Sequence, residues 1–186
     1  MLGVVLSVCP MADRWILGID PGITGGLGMV HLASPSKAWL FATPTVRVTR
    51  GKKVRHEYDV LQMLKLLVFH KTRGVELVVL ERGGTRPGQH AMAVFNTGYG
   101  VGLWYGLLSA VQLPIRWVAP QVWKRHHGLL KCDKRASRLL VQERWPCVGE
   151  VGPASEGAAE ALLMADYYRV QGGFDGERVA GSGLPS

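Results

Sequence analysis

Along the chain, apolar and polar positions fall first into short β-type runs and then into longer helical ones. Trp15 to Ile19 is an apolar run that ends in Asp-Pro-Gly, the signature of a strand running into a turn. Residues 25–32 and 38–45 predict two further strands, giving an antiparallel meander. Residues 47–56 are polar and basic, which predicts a loop or a hairpin end. Leu61, Met63, Leu64, Leu67 and Phe69 recur at helical spacing, so residues 59–72 predict an amphipathic helix. Residues 75–80 form a β-rich apolar run, a buried strand that stops at Glu81. A Gly/Pro-punctuated loop follows over 83–89. Residues 91–109 then predict one or two helices, with close packing at Gly98, Gly100, Gly102 and Gly106. Residues 115–118 predict another strand. Residues 120–127 start a short helix with proline in its first turn. Asp133 is placed to cap a helix over 134–145, and residues 156–170 form the last one. The order of three strands, helix, strand, helices, strand, helices predicts an α/β fold, a mixed sheet with helices on its faces.

Composition adds three constraints. Hydrophobic residues make up 47% and charged residues 19% of the 186, which suits one packed core and excludes a disordered chain. The domain is expected over residues 14–171, after an N-terminal extension (1–13) and before a flexible Gly-rich tail (172–186). Cys9, Cys132 and Cys147 are odd in number and widely spaced, which argues against a disulfide framework or a structural zinc site and fits a reducing compartment. No apolar run approaches the ~20 residues that span a bilayer, so no membrane partner is expected. Residues 1–10 carry no Lys or Arg and make a poor signal peptide, whereas MADRWILGID from Met11 reads like a cytosolic start. The net charge of +8 attracts polyanions without choosing among them.

The placement of the 14 acidic residues is more informative. Asp20 and Glu81 each stand at the carboxyl end of an expected strand, where α/β sheets form their ligand sites. Alone, either acid reads equally well as a solvated strand end. Glu156 and Glu160 are four apart on the last helix, so they share a face with about 5–6 Å between their Cβ atoms. Alone, they read better as an ordinary acidic first turn favoured by the helix dipole. Together, the four carboxylates make an oxygen-rich set suited to Mg²⁺ or Mn²⁺, with two ions per site expected. No Ser, Cys or His arrangement competes. His126 and His127 are adjacent, diverge on a helix, and read as surface or nucleic-acid-facing residues rather than ligands. The basic residues gather nearby: Arg82 and Arg86 around the glycine-rich loop, then Lys124, Arg125, Lys131, Lys134, Arg135 and Arg138 before the last helix. A run of cations is usually a solvated face. Beside four acids, it also suits a site that accepts a phosphate backbone.

These segments carry a family resemblance. WILGIDPGITGGLG resembles the first strand of the RuvC-type Holliday junction resolvases, and VVLERGG their second acidic strand end. VAPQVWKRHHGLLKCDKRASRLL is similar to the family's Ala-Pro, Val, Lys, Gly, Lys segment at Ala119-Pro120, Val122, Lys124, Gly128 and Lys134. EGAAEALLMADYY resembles the closing helix, so the likeness spans about residues 14–170. Glu81-Arg-Gly-Gly and Glu156-Gly-Ala-Ala-Glu160 look closest to the chloroplast nucleoid resolvase branch and its bacterial and phage relatives. The ordinary bacterial branch has aspartates spaced by three on that helix, and an aromatic soon after the second acid that ERGGTRPGQ lacks. The resemblance implies an RNase H-like five-stranded mixed sheet, Mg²⁺ or Mn²⁺ dependence, and a homodimer that nicks two opposing strands of a four-way DNA junction. By position, Asp20, Glu81, Glu156 and Glu160 would bind metal and, with Lys134, carry catalysis, while Lys124 contacts DNA. Gly98–Gly106 with Leu103, Trp104 and Leu107 would serve the dimer contact or plain core packing. A cytoplasmic location follows, or the chloroplast nucleoid for a mature organelle form.

Three other readings remain at this point. GIDPGITGG also resembles the phosphate loop of actin-like ATPases and sugar kinases, but that fold needs two such domains and a second loop. A related nuclease acting on RNA–DNA hybrids or other branched DNA differs only in substrate contacts. A silent nucleic-acid-binding module gains nothing by placing four acids against phosphates. No small-molecule substrate is expected.

Overall fold

A computed structural model describes residues 13–84, 88 and 90–172. The expected N-terminal extension and Gly-rich tail lie, but for Asp13 and Gly172, outside the described residues. Strands β1 (Trp15–Asp20), β2 (Gly26–His31) and β3 (Ala38–Ala42) form the antiparallel meander. β6 (Val75–Glu81) and β7 (Ile115–Val118) extend it in parallel on the other side of β1. The five-stranded sheet therefore runs β3-β2-β1-β6-β7, with β1 in the centre.

Alternation along the strands decides which side each residue serves. In β1, Trp15, Leu17 and Ile19 join the core beneath α1 (Val60–Thr72) and α2 (Ala91–Ala110). Ile16 joins the opposite core, beneath α3 (Pro120–His126), α4 (Lys134–Arg144) and α5 (Glu156–Val170). In β6, Val78 and Leu80 face the first core and Val79 the second. Continued by two, the same parity turns Asp20 and Glu81 toward the α5 side.

α5 lies almost on the sheet because glycines make room for it. A Cβ at Gly18 would stand 1.9 Å from the Ala161 carbonyl oxygen, and one at Gly28 would stand 2.2 Å from the Leu162 nitrogen. Small residues line the helix at this contact, and Ala158, Ala161 and Ala165 are all buried.

The structure departs from the sequence expectation in three places. Residues expected as one strand over 38–45 divide at Thr43-Pro44, where proline cannot donate to a ladder. Residues 47–56, read as a loop or a hairpin end, belong to a full hairpin of two strands, β4 (Thr45–Arg50) and β5 (Lys53–Tyr58), which pair with each other in a separate two-stranded sheet. Val46, Val48 and Val54 supply β propensity, and Gly51 takes the left-handed turn position at φ +62°. Residues 91–110 form one continuous helix, but of the four glycines where close packing was expected only Gly100 meets other elements, while Gly98, Gly102 and Gly106 face open space. Trp104 is fully buried in its own core, so it serves packing rather than any contact between copies.

Candidate functional site

The site begins with strand register. Ile19 pairs with Leu80 in the parallel β1–β6 ladder, so Asp20 and Glu81 follow side by side at the carboxyl edge. Neighbouring strands lie about 4.8 Å apart. Asp20 Oδ1 accepts from the Gly22 backbone N–H at 3.2 Å, an Asx turn that fixes the carboxylate over the β1–β2 connection. Gly25 closes that connection by donating to the Gly22 carbonyl at 2.9 Å.

The last helix completes the arrangement. Gly25 bridges to Gly157, and a Cβ at Gly157 would stand 2.8 Å from Asp20 Oδ2. The first turn of α5 therefore rests against the Asp20 carboxylate, which places Glu156 and Glu160 on the same side of the molecule as Asp20. Glu160 Oε1 receives Lys124 Nζ at 3.0 Å and the Ser137 hydroxyl at 3.4 Å.

Glu81 registers the crowding of these acids. Burial raises its pKa to about 7, and the nearby charges of Asp20 and then Glu160 push in the same direction. Trp123, whose indole Nε1 donates to Glu81 Oε1 at 3.1 Å, and the Lys124 ammonium pull only partly the other way. A carboxylate is held this high when negative charge is concentrated in a dry place without enough positive charge to balance it. An oxygen-only donor set with surplus negative charge fits a hard divalent cation. Among the described residues, no three Asp, Glu, His or Cys side chains yet converge on one point. Glu81 is held by Trp123 and Glu160 by Lys124, so cation binding would require these side chains to turn.

A pH prediction follows. The folded-state pKa of Glu81 lies above its unfolded value, so the folded protein binds this proton more tightly. Stability falls as pH rises from about 4.5 to about 7, and the loss is complete above that window. Without divalent ions, the melting temperature of Glu81→Gln should fall less than that of the parent between pH 5 and 8. Parallel curves for the two proteins would contradict the shift.

The basic candidates fare unevenly. Lys124 is seen paired to a site acid, Glu160, with its Nζ also 4.9 Å from the Trp123 ring centroid. Arg82, Arg125, Lys131 and Arg135 are exposed, and Arg138 is partly buried. Arg86 and the Lys134 side chain lie outside the described residues. The reading of His127 as a surface residue is corrected: it is buried, with Nε2 2.9 Å from the Leu163 carbonyl and Nδ1 3.2 Å from Arg144. His126 is exposed as expected. Asp166 is buried and paired to Arg169 at 2.7 Å and Arg144 at 3.5 Å, well engaged in a structural network.

Sequence reasoning missed two residues at the site. Trp123 touches Glu81, and its position beside Lys124 was the only available signal. Tyr58 donates to the Pro21 carbonyl at 3.0 Å, and burial together with the Asp20 charge raises its pKa to about 12.

Sheet order β3-β2-β1-β6-β7, with acids at the carboxyl ends of β1 and β6 and a closing helix over them, defines an RNase H-like fold. The chain is similar to two solved structures from Thermus thermophilus. RuvC in complex with a Holliday junction substrate superposes with a TM-score of 0.55 at 21% identity, covering 86% of this chain and 96% of that one. RuvC without that description superposes at 0.52 and 19% identity, covering 86% and 97%. At these identities the likeness shows the fold. No family model and no curated protein matches the chain.

Proposed function

We propose that the protein is a metal-dependent endonuclease that resolves four-way DNA junctions by paired nicks in opposing strands. The observation that carries this reading is geometric: strand register sets Asp20 beside Glu81 at one sheet edge, and the first turn of the helix that bears Glu156 and Glu160 rests against Asp20, in a chain of net charge +8. A strongly basic protein that keeps acids crowded at one sheet edge has use for a cation between them and a polyanion beyond them. The RNase H-like fold, and a structural neighbour bound to a Holliday junction substrate, supply the substrate class.

Asp20, Glu81, Glu156 and Glu160 would hold one or two Mg²⁺ or Mn²⁺ ions. Such ions supply an activated water and stabilise the leaving oxygen of a phosphodiester. The protein's own part is positional. The Gly22 N–H holds Asp20 in place, while Trp123 holds Glu81 and Lys124 with Ser137 holds Glu160 until a cation draws those two carboxylates round. Lys124 also brings positive charge to the place where a phosphate would enter. Lys134 and the exposed Arg82, Arg125, Lys131 and Arg135 extend that charge along the backbone of the DNA.

The test is purified protein with Mg²⁺ on a four-way junction, the matching linear duplex and an RNA–DNA hybrid. We expect symmetric nicks in the junction, little cutting of the duplex, and no activity in chelator. Preferential hybrid cleavage would move the protein to the other nuclease reading, and activity in chelator would remove the metal site.

We also propose a homodimer, which symmetric nicking requires. Gly98, Gly102 and Gly106 make a smooth stripe on the solvent side of α2, with open space where each Cβ would stand. Gly102→Leu favours the helix itself but blocks close approach of a second helix. It should shift the protein to monomer in sedimentation, and a dimer of unchanged strength would rule out this stripe as the contact.

A further inference from the structure

The ribbon β4–β5 is unexplained by the nuclease site. It stands apart from the main sheet, and an isolated two-stranded ribbon is at best marginally stable in water. It nevertheless carries Arg47, Arg50, Lys52, Lys53 and Arg55 within nine residues. Among the described residues, the one carboxylate seen paired to any of them is Glu57, at 3.0 Å from Arg50. Both strands of the ribbon are edge strands, so basic side chains there also discourage pairing with another chain. Like charges at this density repel one another and favour a polyanion alongside.

The ribbon also walls a cleft. Arg55, His56 and Tyr58 line one side, and Phe95, Asn96 and Tyr99 at the start of α2 line the other, around a volume of about 1080 Å³. That is the upper end of the usual range for a ligand site, roughly 300–1,000 Å³. The floor is the turn Gly22–Gly25, two residues beyond Asp20, and the far rim is Pro153–Ala154, two residues before Glu156. None of the four acids lines the cleft, but Gly22 does, and its N–H holds the Asp20 carboxylate at 3.2 Å, so the cleft adjoins the acidic site. Phe95 is 65% exposed, an unusual cost for a phenylalanine, and it lies parallel to Tyr99 with an interplanar angle of 2° and centroids 6.2 Å apart. Tyr99 in turn meets Tyr58 edge to face at 5.7 Å, which fixes the pair to the ribbon. Of the ribbon's cations only Arg55 lines the cleft, beside Glu57, and the others stand beyond its rim. An exposed aromatic platform next to a basic ribbon suits a single nucleic-acid strand, with a base stacked on the platform and phosphates toward the ribbon.

We propose that this cleft takes an unpaired DNA strand leaving the acidic site. One base stacks on Phe95, and the phosphates beside it run past Arg55 onto the basic ribbon. The inference rests on the nuclease reading, since it supplies the path by which a strand at the acids continues. A duplex arm is the competing occupant. It would use the ribbon's charge but has no unstacked base to offer Phe95.

The test measures affinity of the full chain for a fluorescently labelled 20-nucleotide oligo-dT, a four-way junction and a linear duplex over a range of salt. Replacing Arg47, Lys52, Lys53 and Arg55 with Gln should weaken oligo-dT binding at least tenfold and lower the salt slope by about 3, at ~0.7 per phosphate lost. Phe95→Ala should weaken oligo-dT and junction binding roughly tenfold and leave duplex binding unchanged, because only an unpaired base can stack there. Phe95→Trp should restore affinity, and sedimentation should show the same oligomer for both variants. Oligo-dT binding unaffected by Phe95→Ala, or an equal loss on duplex, overturns the proposal. The two failures separate cleanly. If the parent nicks junctions and all variants bind as it does, only the cleft assignment falls. If the parent nicks no junction, the nuclease reading falls first.

Discussion

Asp20→Asn should reduce junction nicking by about 10³-fold while leaving junction binding intact or slightly stronger. The substitution is nearly isosteric. An asparagine oxygen still accepts from the Gly22 N–H, now made at 3.2 Å, and the amide adds no bulk beside Gly157. What changes is one negative charge at the point where Glu81 and the first turn of α5 meet. Losing a ligand that helps stabilise developing charge costs several kcal/mol of transition-state energy, and about 4 kcal/mol corresponds to about 10³ in rate. Binding moves the other way, because an acid facing phosphates is a repulsion removed. The same change should lower the Glu81 pKa, since Asp20 is the leading charge that raises it. Asp13→Asn is the control, an exposed acid whose partner is His31 at 3.4 Å, far along β1 from the site. Single-turnover nicking and gel-shift titration measure both effects. An Asp20→Asn protein that nicks within tenfold of the parent would leave the site without its first member.

Much of the framework was legible because it depends on local rules. The run Trp15 to Ile19 ending in Asp-Pro-Gly marks a strand and its turn, and period-two alternation from Ile16 through Gly18 turns Asp20 toward α5. Glu156 and Glu160 share a face by helical spacing alone. That α5 meets β1 at Gly18 and Gly157 is long-range, and no local pattern reports it. The ribbon was hidden because its cations mask the alternation of Val46, Val48 and Val54, and the turn at Gly51 needs a left-handed residue that the sequence offers in many places. His127 was misread because two adjacent histidines on a short helix look solvated. The structure buries one of them against Leu163, and that contact spans 36 residues. Four glycines in α2 suggested close packing along the helix, yet only Gly100 meets other elements, at the Pro21 carbonyl and the Tyr58 hydroxyl.

The close seat of α5 makes Gly18→Ala a strongly damaging small change outside the acids. A methyl group there would stand 1.9 Å from the Ala161 oxygen and 3.2 Å from the Ala165 nitrogen. Both neighbours are helix backbone, so no side chain can rotate away, and either α5 or β1 must move. Overpacking typically costs 1–3 kcal/mol, and a clash with backbone belongs at the upper end. At about 2–4 °C per kcal/mol for a chain of this size, the melting temperature should drop by roughly 6–12 °C. The damage also reaches the chemistry. α5 carries Glu156 and Glu160, and its first turn touches Asp20, so lifting the helix off β1 pulls these acids away from the sheet edge. A displacement of about 1 Å at reacting groups can cost about 10²-fold in rate. Nicking by the fraction that remains folded should therefore fall well below the loss expected from unfolding alone. Gly152→Ala, where a Cβ meets nothing within 4 Å, should change stability by less than about 0.5 kcal/mol. A Gly18→Ala protein with the parent's melting temperature and nicking rate would mean that the helix does not sit against β1 as described, and the meeting of Asp20 with the acids of α5 would lose its structural basis.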